Sequence, residues 1–267
     1  MDNVTPLEEV LRRDRTIVLV GLTGVAALAW AYTLALARHM RDMDMGAMPM
    51  GPSMSMPQMH SWGAVDFVLT FVMWAVMMVA MMVPTAAPML LVFATVSRKR
   101  RAQHRPFVPA SVFLLGYVAV WSGFAAAATV AQWGLHTVAL LSPTMVSTSP
   151  VFGGALLIAA GVFQWSPLKH RCLTHCRGPL GFLMAEWREG TKGVFAMGLR
   201  HGMFCLGCCW ALMTLLLVLG VMNLLWIAAL AGFVLVEKVA PAGQWVSRVT
   251  GVLLVGWGAW MMVSGWG

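Results

Sequence analysis

Histidine and cysteine side chains recur within one apolar stretch of the chain. The segment RHGMFCLGCCW contains His201, Cys205, Cys208 and Cys209. On a helix, a turn of about 100° per residue places Cys205 and Cys208 within about 40° of His201, and Cys209 about 80° away. Thiolate and imidazole ligands suit soft transition metals, although a buried cysteine often serves only as a small apolar side chain. The spacing predicts a principal metal site at His201, Cys205 and Cys208, with Cys209 nearby.

A second cysteine and histidine set lies upstream, in the segment SPLKHRCLTHCRGP. Its candidate ligands are Cys172, His175 and Cys176. The C-x₃-C spacing is weaker evidence than the C-x₂-C spacing of structural zinc sites. In a reducing compartment, metal or redox chemistry is favoured over a structural disulfide. An inert basic loop is the alternative interpretation.

Methionines form a third set, in the segment MWAVMMVAMMVPTAAPM. Met73, Met77 and Met81 recur every four residues, which predicts a thioether stripe on one side of a helix. This spacing is similar to the pore-lining motif of eukaryotic copper transporters, but methionine also fills helix interfaces because it is flexible and apolar. Pro84 and Pro88 predict that the last third of this helix is kinked or partly unwound.

Residues 38–61 form a Met-rich segment with eight methionines between His39 and His60. Its glycines and prolines predict an irregular loop, and thioethers select Cu(I). Such runs resemble those of periplasmic copper-resistance proteins, and a flexible linker without ligands is the alternative. The candidate accessory ligands are His39, Met43, Met45, Met48, Met50 and His60.

The composition predicts the elements that must position these side chains. The chain has 267 residues, 60% of them apolar and 10% charged, with a mean hydropathy of +0.77. A bilayer-spanning helix needs roughly 20 apolar residues, and the apolar runs are too long for barrel strands. We therefore expect an all-α, polytopic transmembrane helical bundle in one domain, residues 1–267. The seven predicted spans are roughly 16–37, 63–94, 110–133, 150–165, 193–220, 223–237 and 246–266. Because the fourth and sixth are short, six spans plus a re-entrant segment is the alternative.

The basic residues predict the orientation. With the N-terminus in the cytoplasm, the inside segments hold almost all of the lysines and arginines, including Lys169 and Lys238, while the outside segments hold Arg38 and Arg41. This asymmetry follows the positive-inside rule. The net charge of +8 is thereby explained without nucleic acid as a partner. We expect a multi-pass protein of the bacterial inner membrane.

Three blocks together resemble one known family: MWAVMMVAMMVPTAAPML, FQWSPLKHRCLTHCRGP and RHGMFCLGCCWALM. This is the bacterial family of predicted metal-binding integral membrane proteins of uncharacterised function. The resemblance covers roughly residues 62–265. It implies a membrane protein with suspected metal binding and supplies no substrate.

Three functions follow as hypotheses. The first is a membrane protein that binds copper, as Cu(I), for transport or delivery, with zinc and iron as open alternatives. Its partners would be the lipid bilayer, the metal ion and a periplasmic metallochaperone or membrane complex. Because the sequence has no Walker-type nucleotide motif, any transport is expected to be passive or ion-coupled. The second is a membrane metalloenzyme or redox subunit with a Cys/His site, and the third is a structural partner of a membrane complex.

Overall fold

The computed structural model describes residues 6–46, 62–103, 107–138, 149–221 and 223–264, and within these ranges every regular element is a helix. The helices are, in chain order, α1 Pro6–Gly46, α2 Ala64–Ala102, α3 Ala110–Thr137, α4 Pro150–Phe163, α5 Pro167–Arg177, α6 Pro179–Glu186, α7 Gly190–Thr214, α8 Leu216–Leu219, α9 Leu224–Val239 and α10 Gly243–Ser264. The expected all-α class is confirmed.

Five stretches in the described residues are long and apolar enough to cross a bilayer: Thr16–His39, Ala64–Arg101, Ala110–Thr137, Gly190–Leu219 and Gly243–Ser264. A sixth candidate is the pair α4 and α5, which are bent by 63° relative to each other. At 16 residues, α9 is shorter than these stretches. The predicted number of seven spans is therefore not confirmed.

The prediction of an irregular Met-rich segment is wrong for its described part, and the prediction of partial unwinding in α2 is also wrong, while a kink in α2 stays a prediction. Residues 39–46 continue α1 as a helix, so the described part of the Met-rich segment is not irregular. Helix α2 also runs from Ala64 to Ala102 without unwinding, although Pro84 and Pro88 lie inside it. Proline at position 84 leaves the carbonyl of Ala80 without its helical N–H partner. The indole N–H of Trp30 donates to that carbonyl at 3.1 Å, so α1 supplies the missing hydrogen bond.

Glycines allow α3 and α7 to approach each other closely. A Cβ atom on Gly116 would lie 2.3 Å from the carbonyl oxygen of Phe195, and one on Gly198 would lie 2.1 Å from that of Phe113. Only glycine fits at such backbone contacts, as in small-residue packing between membrane helices. This approach places Tyr117 of α3 against the cysteine-bearing part of α7.

The corner between α4 and α5 follows from its sequence. Gln164 and Trp165 form a turn, after which the Ser166 hydroxyl accepts a hydrogen bond from the N–H of Lys169, and Pro167 occupies the first helical position. Serine at the N-cap and proline at the first turn are the usual start of a helix. A new helix therefore begins in a new direction, and α5 packs along α7.

Helix α9 returns from a tight turn after α8. Gly220 adopts a φ of 92°, which favours glycine, and the Asn223 side chain accepts a hydrogen bond from the N–H of Leu225 to cap α9. At 1.5 Å per residue, Cys205 lies about 21 Å before this turn and Lys238 lies about 21 Å after the start of α9. The returning helix therefore brings Lys238 level with Cys205.

Two of the lysines expected in cytoplasmic loops are buried instead. Lys169 pairs with Glu237 at 2.6 Å with both side chains fully buried, and Lys238 is 8% exposed. A buried charge is costly unless it is paired, and the pairing depends on α5, α9 and α10 coming together. The expectation that these lysines are loop cations is wrong.

Candidate metal centre

Three thiols of α7 lie together in the core of the bundle. Cys205, Cys208 and Cys209 are fully buried. The Sγ atoms of Cys208 and Cys209 each lie 3.0 Å from the carbonyl oxygen of Cys205 and donate to it. The sequence predicts Cys209 near the principal site, and its thiol interacts with the thiols of Cys205 and Cys208. The three sulfurs therefore form one group.

A fourth thiol comes from α5. The Cys176 side chain lies close enough to the thiols of Cys205 and Cys208 to interact with both. It is half-buried, whereas the α7 cysteines are enclosed. The two cysteine motifs, separate in the sequence interpretation, thus meet at one place. We call Cys176, Cys205, Cys208 and Cys209 the thiol cluster.

Cys172 lies beside the thiol cluster and is buried against Gly207 of α7. A Cβ atom at Gly207 would lie 2.7 Å from the Cys172 Sγ atom, so the glycine makes room for this thiol. No hydrogen bond from Cys172 to the thiol cluster is formed in the described part of the chain. Cys172 therefore packs α5 against α7 and is a natural control for the other cysteines.

Two polar side chains contact the sulfur of Cys205. The Nζ atom of Lys238 lies 2.9 Å from the Sγ atom, and the hydroxyl of Tyr117 lies 3.0 Å from it. The Tyr117 hydroxyl is also 3.0 Å from the carbonyl oxygen of Met82, and its single proton can serve one of these two neighbours at a time. Lys238 also donates to the hydroxyl oxygen of Thr85 at 3.0 Å.

Helices α2 and α7 are connected through side chains of two other helices. Tyr117 of α3 joins the backbone of Met82 to Cys205, and Lys238 of α9 joins Thr85 to the same sulfur. The link between the methionine helix and the thiol cluster therefore runs through two intervening side chains.

The methionines of α2 are buried, as a thioether stripe requires, with Met73 at 7% exposure and both Met77 and Met81 at 1%. Relative to Thr85, which faces the thiol cluster, Met81 lies about 40° away and Met73 about 120° away around the helix. The stripe predicted from four-residue spacing therefore turns away from the cluster. Met78, about 20° from Thr85 by the same angle, lies closer to that face and was left out of the predicted ligand set.

His201 lies in an aromatic pocket beside the cluster. Its ring centroid is 5.4 Å from that of Phe182, 5.8 Å from that of Tyr117 and 5.9 Å from that of Phe113. The ring is 3% exposed, and its Nδ1 atom has no hydrogen-bond partner among the described residues. A buried ring nitrogen without a partner is available as a ligand.

His175 does not join this group. It is exposed, its Nδ1 atom bonds the carbonyl of Arg171 at 2.8 Å, and its ring stacks on Phe204 with centroids 4.2 Å apart. His39 is exposed near the end of α1. Met43 and Met45 belong to the helix α1, but their side chains lie outside the described residues, as do Met48, Met50 and His60 as a whole.

The sequence interpretation missed Tyr117, Thr85 and Lys238. The available signal was the dipeptide Glu237-Lys238 at the end of an apolar run in a chain with few charges, because ionisable groups within membrane-spanning helices are usually functional. In the described residues, no three side chains among histidine, cysteine, aspartate and glutamate are already arranged around a metal position. The thiols are held by the Cys205 carbonyl, by Tyr117 and by Lys238, so an ion would have to replace some of these hydrogen bonds.

The fold and this centre define a class: a helical protein with long apolar helices and soft ligands gathered in its core. A family model described as PpoB2, copper chaperone, matches residues 71–261. This range contains the whole thiol cluster, Tyr117 and Lys238 and covers well over half of the chain, so the chain belongs to this copper-handling family. No curated protein and no solved structure matches it.

Proposed function

We propose that this chain is a polytopic membrane protein that binds Cu(I) at the thiol cluster and delivers it to an acceptor. The observation that carries the proposal is the convergence of Cys176 from α5 with three cysteines of α7. Thiolates are soft ligands that suit Cu(I) as well as zinc and iron–sulfur clusters, and the family description, copper chaperone, favours copper among these metals. The family description, copper chaperone, favours delivery over catalysis and over a purely structural role.

Membrane embedding is supported by the outward faces of the long helices. Leu28 is 74% exposed, Leu253 is 66% exposed and Val263 is 78% exposed. Large apolar side chains exposed in this number suit contact with lipid better than contact with water. The arginines that follow the apolar part of α2, such as Arg98 and Arg101, favour a cytoplasmic location for that end under the positive-inside rule. We assign the protein to the bacterial inner membrane with its N-terminus inside.

The proposed route begins at the Met-rich segment on the outer side. Buried thioethers of α2, with Met78 and Met81 nearest the face of Thr85, supply weaker soft ligands between that segment and the cluster. Passage of an ion requires several sites that bind without trapping it. The half-buried Cys176 then offers the thiol through which an acceptor can receive the ion by ligand exchange.

The test is Cu(I) binding by the detergent-purified protein, measured without oxygen by competition with bathocuproine disulfonate. Wild-type protein is expected to hold one tightly bound Cu(I). The variant Cys205→Ser, Cys208→Ser should lose it, and Cys176→Ser should bind it more weakly. Cys172→Ser is the matched control, because it removes a buried thiol of α5 outside the cluster, and it should bind like wild type.

Circular dichroism and size-exclusion chromatography establish that each variant is folded. Full Cu(I) content in folded Cys205→Ser, Cys208→Ser protein would contradict the proposed site. Delivery is then tested with Cu(I)-loaded wild-type protein reconstituted into proteoliposomes. A membrane-impermeant thiol chelator is added on one side of the membrane. Release of Cu(I) in wild type, and its slowing in Cys176→Ser, is the expected result.

A further inference from the structure

Lys238 is a buried cation that contacts a sulfur of the thiol cluster. Its Nζ atom lies 2.9 Å from the Cys205 sulfur and 3.0 Å from the Thr85 hydroxyl. The adjacent carboxylate of Glu237 is engaged elsewhere, because Lys169 pairs with it at 2.6 Å and Ser247 donates to it. The positive charge of Lys238 is therefore left to interact with the thiol cluster.

A buried charge without a partner is strongly unfavourable, and opposite charges at close range interact strongly where water is excluded. Cu(I) held by two thiolates is an anionic complex with a net charge of minus one. One ammonium group beside a ligand sulfur neutralises it. A divalent ion held by the same two thiolates is already neutral, and beside it the ammonium would be an unbalanced buried charge.

We propose that Lys238 makes the thiol cluster selective for a monovalent ion by neutralising a two-thiolate Cu(I) complex, an inference that rests on the proposed function. Selectivity arises because a divalent ion needs one more thiolate than Cu(I) to reach neutrality beside Lys238. Although four thiols lie close together, no three histidine, cysteine or carboxylate side chains of the described residues are arranged around one metal position. Lys238 thus acts as a positioning and specificity residue that touches a ligand and not the metal.

The test compares Cu(I) and Zn(II) binding in Lys238→Leu, which removes the charge and leaves an apolar side chain that adds no metal ligand. Changes in groups that contact metal ligands commonly alter affinity by about 10- to 100-fold. We expect Lys238→Leu to weaken Cu(I) binding by a factor in this range and to tighten Zn(II) binding. Only the Zn(II) binding that disappears in Cys205→Ser, Cys208→Ser is scored, which excludes ions bound elsewhere on the chain.

Two further variants serve as controls. Lys238→Arg keeps the charge and should preserve the wild-type preference for Cu(I). Lys192→Leu removes an exposed lysine, so it reports the effect of net charge alone and should change neither affinity. A purely structural role of Lys238 predicts that both metals bind more weakly in Lys238→Leu, and that result would overturn the inference. Unchanged affinities for both metals would overturn it equally.

Wild-type protein provides a measurement that does not depend on the folding of a variant. X-ray absorption spectroscopy of the bound Cu(I) should detect two sulfur ligands. Three or four thiolates would give a complex that one ammonium cannot neutralise, and would overturn the inference while leaving the proposed function intact. Absence of Cu(I) binding by the wild-type cysteines would instead contradict the proposed function itself.

Discussion

Lys169 of α5 and Glu237 of α9 form an ion pair with 2.6 Å between nitrogen and oxygen, and neither side chain is exposed. Ser247 of α10 donates to the same carboxylate. The pair and this serine therefore join α5, α9 and α10, and they fix the end of α9 that carries Lys238. Removing one partner of such a pair leaves a buried charge without compensation.

The first prediction concerns this ion pair. Lys169→Met should lower the free energy of unfolding by about 3–5 kcal/mol because Glu237 is left charged and unpaired. The double variant Lys169→Met, Glu237→Gln removes both charges, keeps an acceptor for Ser247 and should recover most of the loss. Thermal unfolding of the detergent-purified variants measures both effects. If the double variant is no more stable than Lys169→Met, the charge of Glu237 is not the cause.

The second prediction concerns the hydrogen bond from Trp30 to the carbonyl of Ala80. Trp30→Phe should cost about 1–3 kcal/mol because it leaves this carbonyl without a donor. Pro84→Ala restores a backbone N–H at residue 84, which can donate to the same carbonyl. In the Pro84→Ala background, Trp30→Phe should therefore cost less. Equal costs in the two backgrounds would show that Trp30 acts only by packing.

The third prediction concerns the close approach of α3 and α7. Gly198→Ala would place a Cβ atom 2.1 Å from the Phe113 carbonyl oxygen, so the helices must separate. Such overpacking typically costs about 1–3 kcal/mol. Because the separation displaces α7 and the cysteines that it carries, Cu(I) affinity should fall as well. Competition titration and thermal unfolding measure the two effects.

The matched control for this variant is Gly123→Ala on α3. A Cβ atom there meets nothing within 4 Å. Alanine is preferred over glycine in a helix by roughly 0.5–1 kcal/mol, so this variant should be as stable as wild type or slightly more stable. A loss of stability and Cu(I) affinity equal to that of Gly198→Ala would contradict the packing argument.

Local sequence patterns predicted part of this centre, and long-range packing determined the rest. Helical periodicity placed Cys205 and Cys208 on one face because both belong to α7. The arrival of Cys176 depends on the turn at Gln164 and Trp165, where two helices change direction, and no periodicity within one helix reports such a contact. Lys238 resembled a loop cation because it ends an apolar run, whereas its burial follows from the return of α9 alongside α7. Long apolar runs were sufficient to predict the class of fold, but not to decide whether a helix of 16 residues such as α9 spans a membrane.

The last prediction concerns the Met-rich segment and its relation to the thiol cluster. The family match begins at residue 71, so the segment lies outside the part of the chain that defines the copper-handling family. Its eight methionines are also redundant, so Met48→Ala should leave Cu(I) binding nearly unchanged.

Deletion of residues 47–59 keeps α1 as far as Gly46 and also keeps Trp62. We expect the deletion variant to retain one tightly bound Cu(I) at the thiol cluster and to lose the weaker, additional Cu(I) ions, because thioethers bind this ion without the charge of a thiolate. Uptake of Cu(I) into proteoliposomes at low external concentration should slow, since capture on the outer side is impaired. Copper stoichiometry and competition with bathocuproine disulfonate measure the retained site. Loss of all bound copper from a folded deletion variant would make the Met-rich segment the principal site and would contradict the assignment to Cys205 and Cys208.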